Sequence, residues 1–421
     1  MKVLILNTSE RTGGAAVAAN RLMNALCKQG VEANMLVRDK QSEDERVISV
    51  NHSWFQRRLN FLRFVWERLV IFLCNKLNRK DLFRVSIANT GVNLAAHPLV
   101  KEADVIHLHW INKGFLSLKG LRQLIATGKP IVWTMHDMWP ATAICHHAWG
   151  CEAFIKECGR CPFLSSSCMK DLANYTFKQK SFINQSSIQL VTVSSWLKKL
   201  AKYSRITSNL SIEVIPNVLD TSRFQPLSKK QIRNILRLPL NKRIILMGAA
   251  RLDDPLKGFE TLCSALSHLN EIDGHADFLL VLFGGIKAGE GFLANLPIPY
   301  IWKGLLQDTQ AIAQLYAAAD VTIIPSHYET FGQTIIEGMA CGCPAVTFDN
   351  SGQTDIITHR VDGYLAHYQD AKDLAKGIQW VINHPDPEAL RQACVEKVRT
   401  HYAEEVVAQQ YIKLYEQLLK R

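Results

Sequence analysis

Short runs of strand-forming apolar residues alternate with helix-forming stretches along the whole chain, and the alternation starts afresh half-way. In the first half the runs are Val3 to Leu6, Ala33 to Val37, Asp104 to Leu108, Ile131 to Met135, Gln189 to Val193 and Glu213 to Ile215. In the second they are Arg243 to Gly248, Phe278 to Phe283, Val321 to Ile324 and Ala345 to Phe348, separated by helical stretches such as Gly258 to Leu269 and Asp308 to Ala319. Strands that alternate with helices in this way build a parallel, doubly wound α/β sheet. At 421 residues the chain exceeds ordinary single-domain size, so two such Rossmann-like domains facing a cleft are expected. The polar, proline-bearing stretch Pro216 to Pro226 is the linker candidate, which puts the boundary near Asp220 and the domains at 1–219 and 220–403.

Met1-Lys2 leads directly into Val3 to Leu6 and then Asn7-Thr8-Ser9, so the start reads as a first strand rather than a signal peptide. No stretch of about 18 uninterrupted apolar residues occurs, which argues against a spanning helix. The expected location is cytoplasmic, with a peripheral position on the inner membrane face as the variant to test. Lysine and arginine number 49 against 38 acids, for a formal charge of +11. That balance suits nucleic acid, an anionic membrane or phosphorylated substrates, and the distribution of charge discriminates better than its total. Between Trp54 and Arg84 lie Arg57, Arg58, Arg63, Arg68, Lys76, Arg79, Lys80 and Arg84, with only Glu67 and Asp81 against them. Phe55, Leu59, Leu62, Trp66, Leu69, Leu73 and Leu77 recur between them at helical spacing, and Phe61, Phe64, Val65, Val70, Ile71 and Phe72 widen the stripe. Such a helix belongs to a core, to a subunit interface or to an anionic membrane surface. A basic protein for nucleic acid or another polyanion would instead interleave its cations with stacking aromatics on a sheet or loop, so no nucleic-acid partner is expected.

Chemistry concentrates in Pro325 to Pro344, where Glu329 and Glu337 stand eight residues apart around the start of a helix predicted over Gly332 to Ala340. The turn after a strand is where α/β sheets bind ligands. Backbone amides of Phe331, Gly332, Gln333 and Thr334 would meet a diphosphate at the positive end of that helix. Glu337, farther along, is suited to both hydroxyls of a ribose, and Glu329 to sugar hydroxyls, because a carboxylate only accepts hydrogen bonds. Arg251 and Lys257 follow the strand Arg243 to Gly248, where two fixed cations can hold the phosphates of a nucleotide-sugar. Gly13 and Gly14 follow the first strand and open a helix, allowing a phosphate or acceptor close to the backbone. His136 ends the strand Ile131 to Met135 and precedes Asp137, at the sheet edge where ligands bind; His107 and His109 flank a similar strand end. Cys145, Cys151, Cys158 and Cys161, with His146, His147 and Cys168 nearby, have three readings: a structural zinc site, reduced thiols, or a disulfide, the last disfavoured in a cytosolic chain.

The Glu329 to Glu337 arrangement, followed by Gly338-Met339-Ala340-Cys341-Gly342-Cys343-Pro344 and by Ser351 to Ile357, resembles the donor site of retaining family-4 glycosyltransferases. The Arg251 and Lys257 pair, the glycines after the first strand, the His136-Asp137 step and Ile215-Pro216-Asn217 match that family in the same order, over nearly the whole chain. The resemblance implies a GT-B fold in which 404–421 packs back on the first domain. It implies transfer of a sugar from a UDP- or GDP-sugar to a glycan or lipid-linked oligosaccharide, in surface polysaccharide synthesis, with retention and without an essential catalytic metal. Arg251 and Lys257 would hold the diphosphate, Glu337 the ribose, and Glu329 and His136 the sugar. Lys303-Gly304 resembles the region that frames the nucleotide base. Asp137 to Pro140 with the cysteines after it resembles an insertion of some polysaccharide-forming members. A GT-B epimerase or phosphorylase is the alternative within enzymes, and a nucleic-acid- or polyanion-binding protein the alternative outside them.

Overall fold

The structure, a computed structural model, describes residues 1–166, 168–272 and 277–421. It divides into two compact units, 1–216 with 408–421, and 217–407. The first is built on a seven-stranded sheet of β1 (Lys2–Ser9), β2 (Glu32–Asp39), β3 (Val47–Ser49), β4 (Val105–Leu108), β5 (Ile131–Met135), β6 (Gln189–Thr192) and β7 (Ile212–Val214). The second carries six: β8 (Arg243–Arg251), β9 (Phe278–Gly285), β10 (Tyr300–Trp302), β11 (Val321–Ile324), β12 (Ala345–Phe348) and β13 (Gly363–Ala366).

Strand order is β3-β2-β1-β4-β5-β6-β7 in the first sheet and β10-β9-β8-β11-β12-β13 in the second. Every pairing within them is parallel. Each order therefore reverses once, between β1 and β4 and between β8 and β11, and the crevice at the carboxyl ends of such a strand pair is the natural ligand position. Parallel strands covered on both faces read as unbroken apolar runs, and Leu4, Ile5 and Leu6 are accordingly buried, as are Ile245, Leu246 and Met247. In the second unit the helices Phe259–Ile272 and Ala371–Ile382 cover this core with Leu262, Ala265, Leu266, Leu374 and Ile378. In the first unit the last helix, Glu404–Leu419, buries Tyr411 and Tyr415, whose hydroxyls lie 3.0 Å from Thr134 Oγ1 and 2.7 Å from His107 Nδ1.

The helix Trp54–Cys74 corrects the core reading of its apolar stripe. Ser53 caps it through a hydrogen bond from the Gln56 amide, but the residues it buries are Asn60, Glu67, Arg68 and Ile71. Trp54, Phe55, Phe61, Leu62 and Trp66 are all more than half exposed. Polar bonds fasten this helix. Glu67 Oε1 accepts from the amides of Ile87 (2.9 Å) and Ala88 (2.8 Å). Arg68 donates to the carbonyls of Leu82 and Val85 and pairs with Glu67 at 3.1 Å. Arg68 thus leaves the set of surface cations counted from the sequence. Glu67→Ala should lower stability by about 3 to 5 kcal/mol, the cost of leaving a buried arginine without its carboxylate, read from the urea midpoint; a change below about 1 kcal/mol would mean that the helix is held some other way.

Candidate functional site

At the reversal point of the second sheet, β8 runs into Arg251 to Gly258 and β11 into Pro325 to Gly332. The two loops are fastened face to face. Lys257 Nζ lies 2.6 Å from Glu329 Oε1, and the His327 amide donates to the Leu256 carbonyl at 2.9 Å. Gly258 closes the short helical turn Pro255–Lys257 at φ +65, and a Cβ there would fall 1.8 Å from the Pro325 carbonyl oxygen. Only glycine suits both the left-handed backbone and that approach.

A buried polar frame supports the second loop from below. Gln353, fully buried, donates to Asn350 Oδ1 at 2.7 Å and accepts from Thr347 at 2.6 Å. Asn350 donates to the His327 carbonyl at 2.9 Å, and Ser351 Oγ accepts from the Glu329 amide at 3.1 Å. Gly352 donates its amide to the Glu329 carbonyl at 2.8 Å, and a Cβ on it would meet Thr330 O at 2.1 Å. Thr347, Asn350 and Gln353 were not among the site residues predicted from sequence. Thr347 lies within β12 and Asn350 in the turn after it, while Gln353 belongs to the Ser351 to Ile357 segment named in the sequence resemblance.

Electrostatics at this point are those of cations parked on carboxylates. Burial acts to lower the Lys257 pKa, but the neighbouring Glu329 carboxylate, with Asp254, holds it above the usual lysine value. Arg251 pairs with Asp253 at 3.1 Å and lies 3.8 Å from Asp254. Beyond Gly332 begins the helix Gln333–Ala340, which no side chain caps, whereas Asp308, Asp370 and Asp386 cap other helices of this unit. An uncapped helix start without a carboxylate is a place for an anion. Gln333, Thr334 and Glu337 are half-buried on this helix. Phe331 turns inward, 3% exposed, with its ring 5.8 Å from that of Tyr402, so its contribution to a ligand is limited to its backbone.

The first unit's reversal point is built on neutral histidines and one buried carboxylate, Asp137. Gly13, exposed, precedes the helix Gly14–Lys28, which no side chain caps. His109 and His136, from the ends of the neighbouring strands β4 and β5, stack with ring centroids 5.1 Å apart and share a hydrogen bond of 2.8 Å between Nδ1 and Nε2. His107 packs 4.3 Å from His109, centroid to centroid, and lies 2.8 Å from Thr134 Oγ1. Burial pulls the pKa of His136 down to about 4 and that of His107 to about 3, and that of His109 well below its ordinary value. Asp137, next in sequence, accepts from Trp110 Nε1 at 2.8 Å and lies 2.7 Å from His146 Nδ1. Sequence reasoning gave a role to His136 and only placed His107 and His109 at a similar strand end; the pairing of His136 with His109 depends on the register that sets Leu108 beside Trp133.

Cys145, Cys158 and Cys161 are buried free thiols, and Cys151 is a half-buried one. Burial pushes the pKa of Cys145 up to about 11 and those of Cys158 and Cys161 up to about 12. Among the described residues no group of three or more His, Cys, Asp or Glu side chains is arranged to hold a metal ion.

Residues 12–223 match the family model described as Glycosyltransferase Family 4. The chain belongs to this family. A second model, glycosyl transferases group 1, matches residues 228–401. Among family-4 relatives, a D-inositol 3-phosphate glycosyltransferase of Corynebacterium jeikeium is 24% identical over 96% of this chain and 92% of its own length. Another of that name, from Saccharomonospora viridis, is 30% identical over 43% of this chain and 44% of its own, so that match spans less than half of the relative. The solved sucrose-phosphate synthase of Thermosynechococcus elongatus shares the fold with a TM-score of 0.70 at 21% identity, over 100% of this chain and 99% of that one. The Anabaena HepE structure with UDP and glucose does so at 0.63 and 18%, over 99% of each chain. The fold is GT-B, two Rossmann-like units each on a parallel sheet.

The buried imidazoles set an acid limit on this family-4 chain. Unfolded, each titrates near 6.5; folded, His136 and His107 stay neutral down to about 4 and about 3. The unfolded state therefore binds more protons across that interval, and stability falls as the pH drops below about 6.5. Between pH 8 and pH 5 each imidazole should remove about 2 kcal/mol. Urea titrations across that range check this, and His136→Asn should weaken the dependence by about a third, because His107 and His109 remain; a flat profile would contradict the buried, neutral assignment.

Proposed function

We propose that the chain is a retaining glycosyltransferase that moves a sugar from a UDP- or GDP-sugar to a glycan or lipid-linked oligosaccharide in surface polysaccharide synthesis. The observation that carries this reading is the Lys257–Glu329 pair at the uncapped start of the helix Gln333–Ala340. One loop offers cations to a diphosphate, the next offers its carboxylate to hydroxyls, and the helix offers amides between them. The UDP and UDP-glucose in the solved Anabaena structures support a nucleotide-sugar as donor.

In this reading the donor's diphosphate takes Arg251 and Lys257 from their carboxylate partners, which leaves Glu329 to accept from the sugar. Glu337 holds the ribose. As the bond from the anomeric carbon to the diphosphate breaks, the two cations and the helix start stabilise the charge that grows on the leaving oxygen. The acceptor hydroxyl attacks from the same face and its proton passes to the departing phosphate, so neither a protein nucleophile nor a metal ion is needed. His136, neutral at physiological pH, acts as a hydrogen-bonding group rather than a counter-ion.

Charged hydrogen bonds of about 1.5 to 3 kcal/mol set the expected effects. Glu337→Ala should weaken donor binding by about one to two decades in titration calorimetry. Glu329→Ala should lower turnover by a similar factor while diphosphate affinity is kept or rises, because Lys257 is released. A panel of nucleotide-sugars scored by melting temperature selects the donor. Unchanged binding and turnover in both variants would end the assignment, and acceptor-free epimerisation of the donor would replace it.

A further inference from the structure

The helix Trp54–Cys74 and the turn after it form an inside-out element of the first unit. Its polar residues Asn60, Glu67 and Arg68 face the protein, and its large apolar residues face outward. Trp54 is 69% exposed, Phe55 68%, Leu62 59% and Phe83, at the end of the turn, 67%. Exposed apolar area of this extent marks a contact with another phase or partner.

The charges around it say which. Arg57, Arg58, Lys76, Arg79, Lys80 and Arg84 are exposed along the same segment. Its only two carboxylates are withdrawn: Glu67 is fully buried and Asp81 lies 3.3 Å from Arg84. Tryptophan and phenylalanine beside unpaired-in-number cations form the composition of a helix lying in a lipid interface, where rings sit at headgroup depth and cations meet phosphates. A second copy of the chain is a poorer occupant, since an isologous contact sets six cations of one copy against the same six of the other. No helix among the described residues is long and apolar enough to cross a membrane, so an element docked on a bilayer would lie along it rather than through it.

We propose that residues 54–84 dock the protein on a bilayer that carries anionic phospholipid, with Trp54, Phe55, Leu62 and Trp66 entering the headgroup boundary and the flanking arginines and lysines contacting lipid phosphates. The surface is independent of the donor site, so its test stands whether or not the proposed transfer reaction is correct.

Flotation is measured on vesicles of phosphatidylcholine with about 30% phosphatidylglycerol and on phosphatidylcholine alone, at about 0.1 M and about 0.5 M salt. Wild-type protein should float with the anionic vesicles, at least about tenfold better than with neutral ones, and less at the higher salt. Two variants separate the contributions: Trp54→Ser with Trp66→Ser, and Arg57→Gln with Arg58→Gln, Arg79→Gln and Lys80→Gln. These side chains are exposed, so melting temperatures should match the wild type. Each set should lower binding about tenfold or more, and brominated acyl chains should quench wild-type tryptophan emission but not that of the tryptophan variant. Equal flotation on both vesicle types, no flotation, or undiminished flotation of both variants overturns the proposal. So does a wild-type dimer in sedimentation that the tryptophan variant dissolves while lipid binding is absent.

Discussion

The ion pair between Lys257 and Glu329 ties together the loops that leave β8 and β11, and the second unit's candidate chemistry depends on it. Neighbouring strands that continue in opposite directions across a sheet leave a crevice, and here the crevice is spanned by two opposite charges. Neither charge is idle: a carboxylate beside an ammonium relieves the cost of holding either one half-buried. A diphosphate entering there does not find a bare lysine. In the proposed reaction it would exchange one anion for another with more charge, and the displaced carboxylate would become available as an acceptor for hydroxyls. Gly258 and Gly352 make this possible, since a Cβ on either would collide with the backbone of the facing loop.

The first unit solves its own reversal point differently. His107, His109 and His136 are packed ring against ring at the ends of β4 and β5, and burial keeps them neutral. Three imidazolium ions so close would repel strongly, so the stack is compatible only with the uncharged state. Neutral imidazoles exchange hydrogen bonds with hydroxyls without attracting phosphate. The second unit's reversal point thus carries lysine and arginine, which suit phosphates, whereas the first carries neutral imidazoles beside one buried carboxylate, Asp137.

Much of this fold was legible in the sequence because buried parallel strands leave continuous apolar runs, and ten of them were visible. Val47–Ser49, Tyr300–Trp302 and Gly363–Ala366 were not. All three lie at sheet edges and pair on one side only, so they lack the unbroken apolar run of a central strand. In the second unit, the order Arg251, Lys257, Glu329, Glu337 named residues that the fold brings to one sheet reversal for Lys257 and Glu329, because loops after adjacent strands must meet there. The Gln353 frame and the His109–His136 pair were illegible, since both depend on register between strands distant in sequence.

Helix Trp54–Cys74 shows a different limit: its periodicity is legible, but it leaves open whether the apolar stripe meets a core, a second subunit or a membrane surface, and the structure removes only the core. Spacing fixes which residues share a face but not which face turns inward. The anchor decides. Glu67 satisfies two backbone amides and Arg68 two carbonyls of the segment Leu82 to Ala88, which pins the rotation of the helix about its axis. Rolling it by half a turn would bury Trp66 and Leu62 but strip those four backbone groups of partners, at about 1 to 3 kcal/mol each. The polar anchor therefore outweighs the local pull of the apolar face, and the stripe remains outward until something apolar covers it.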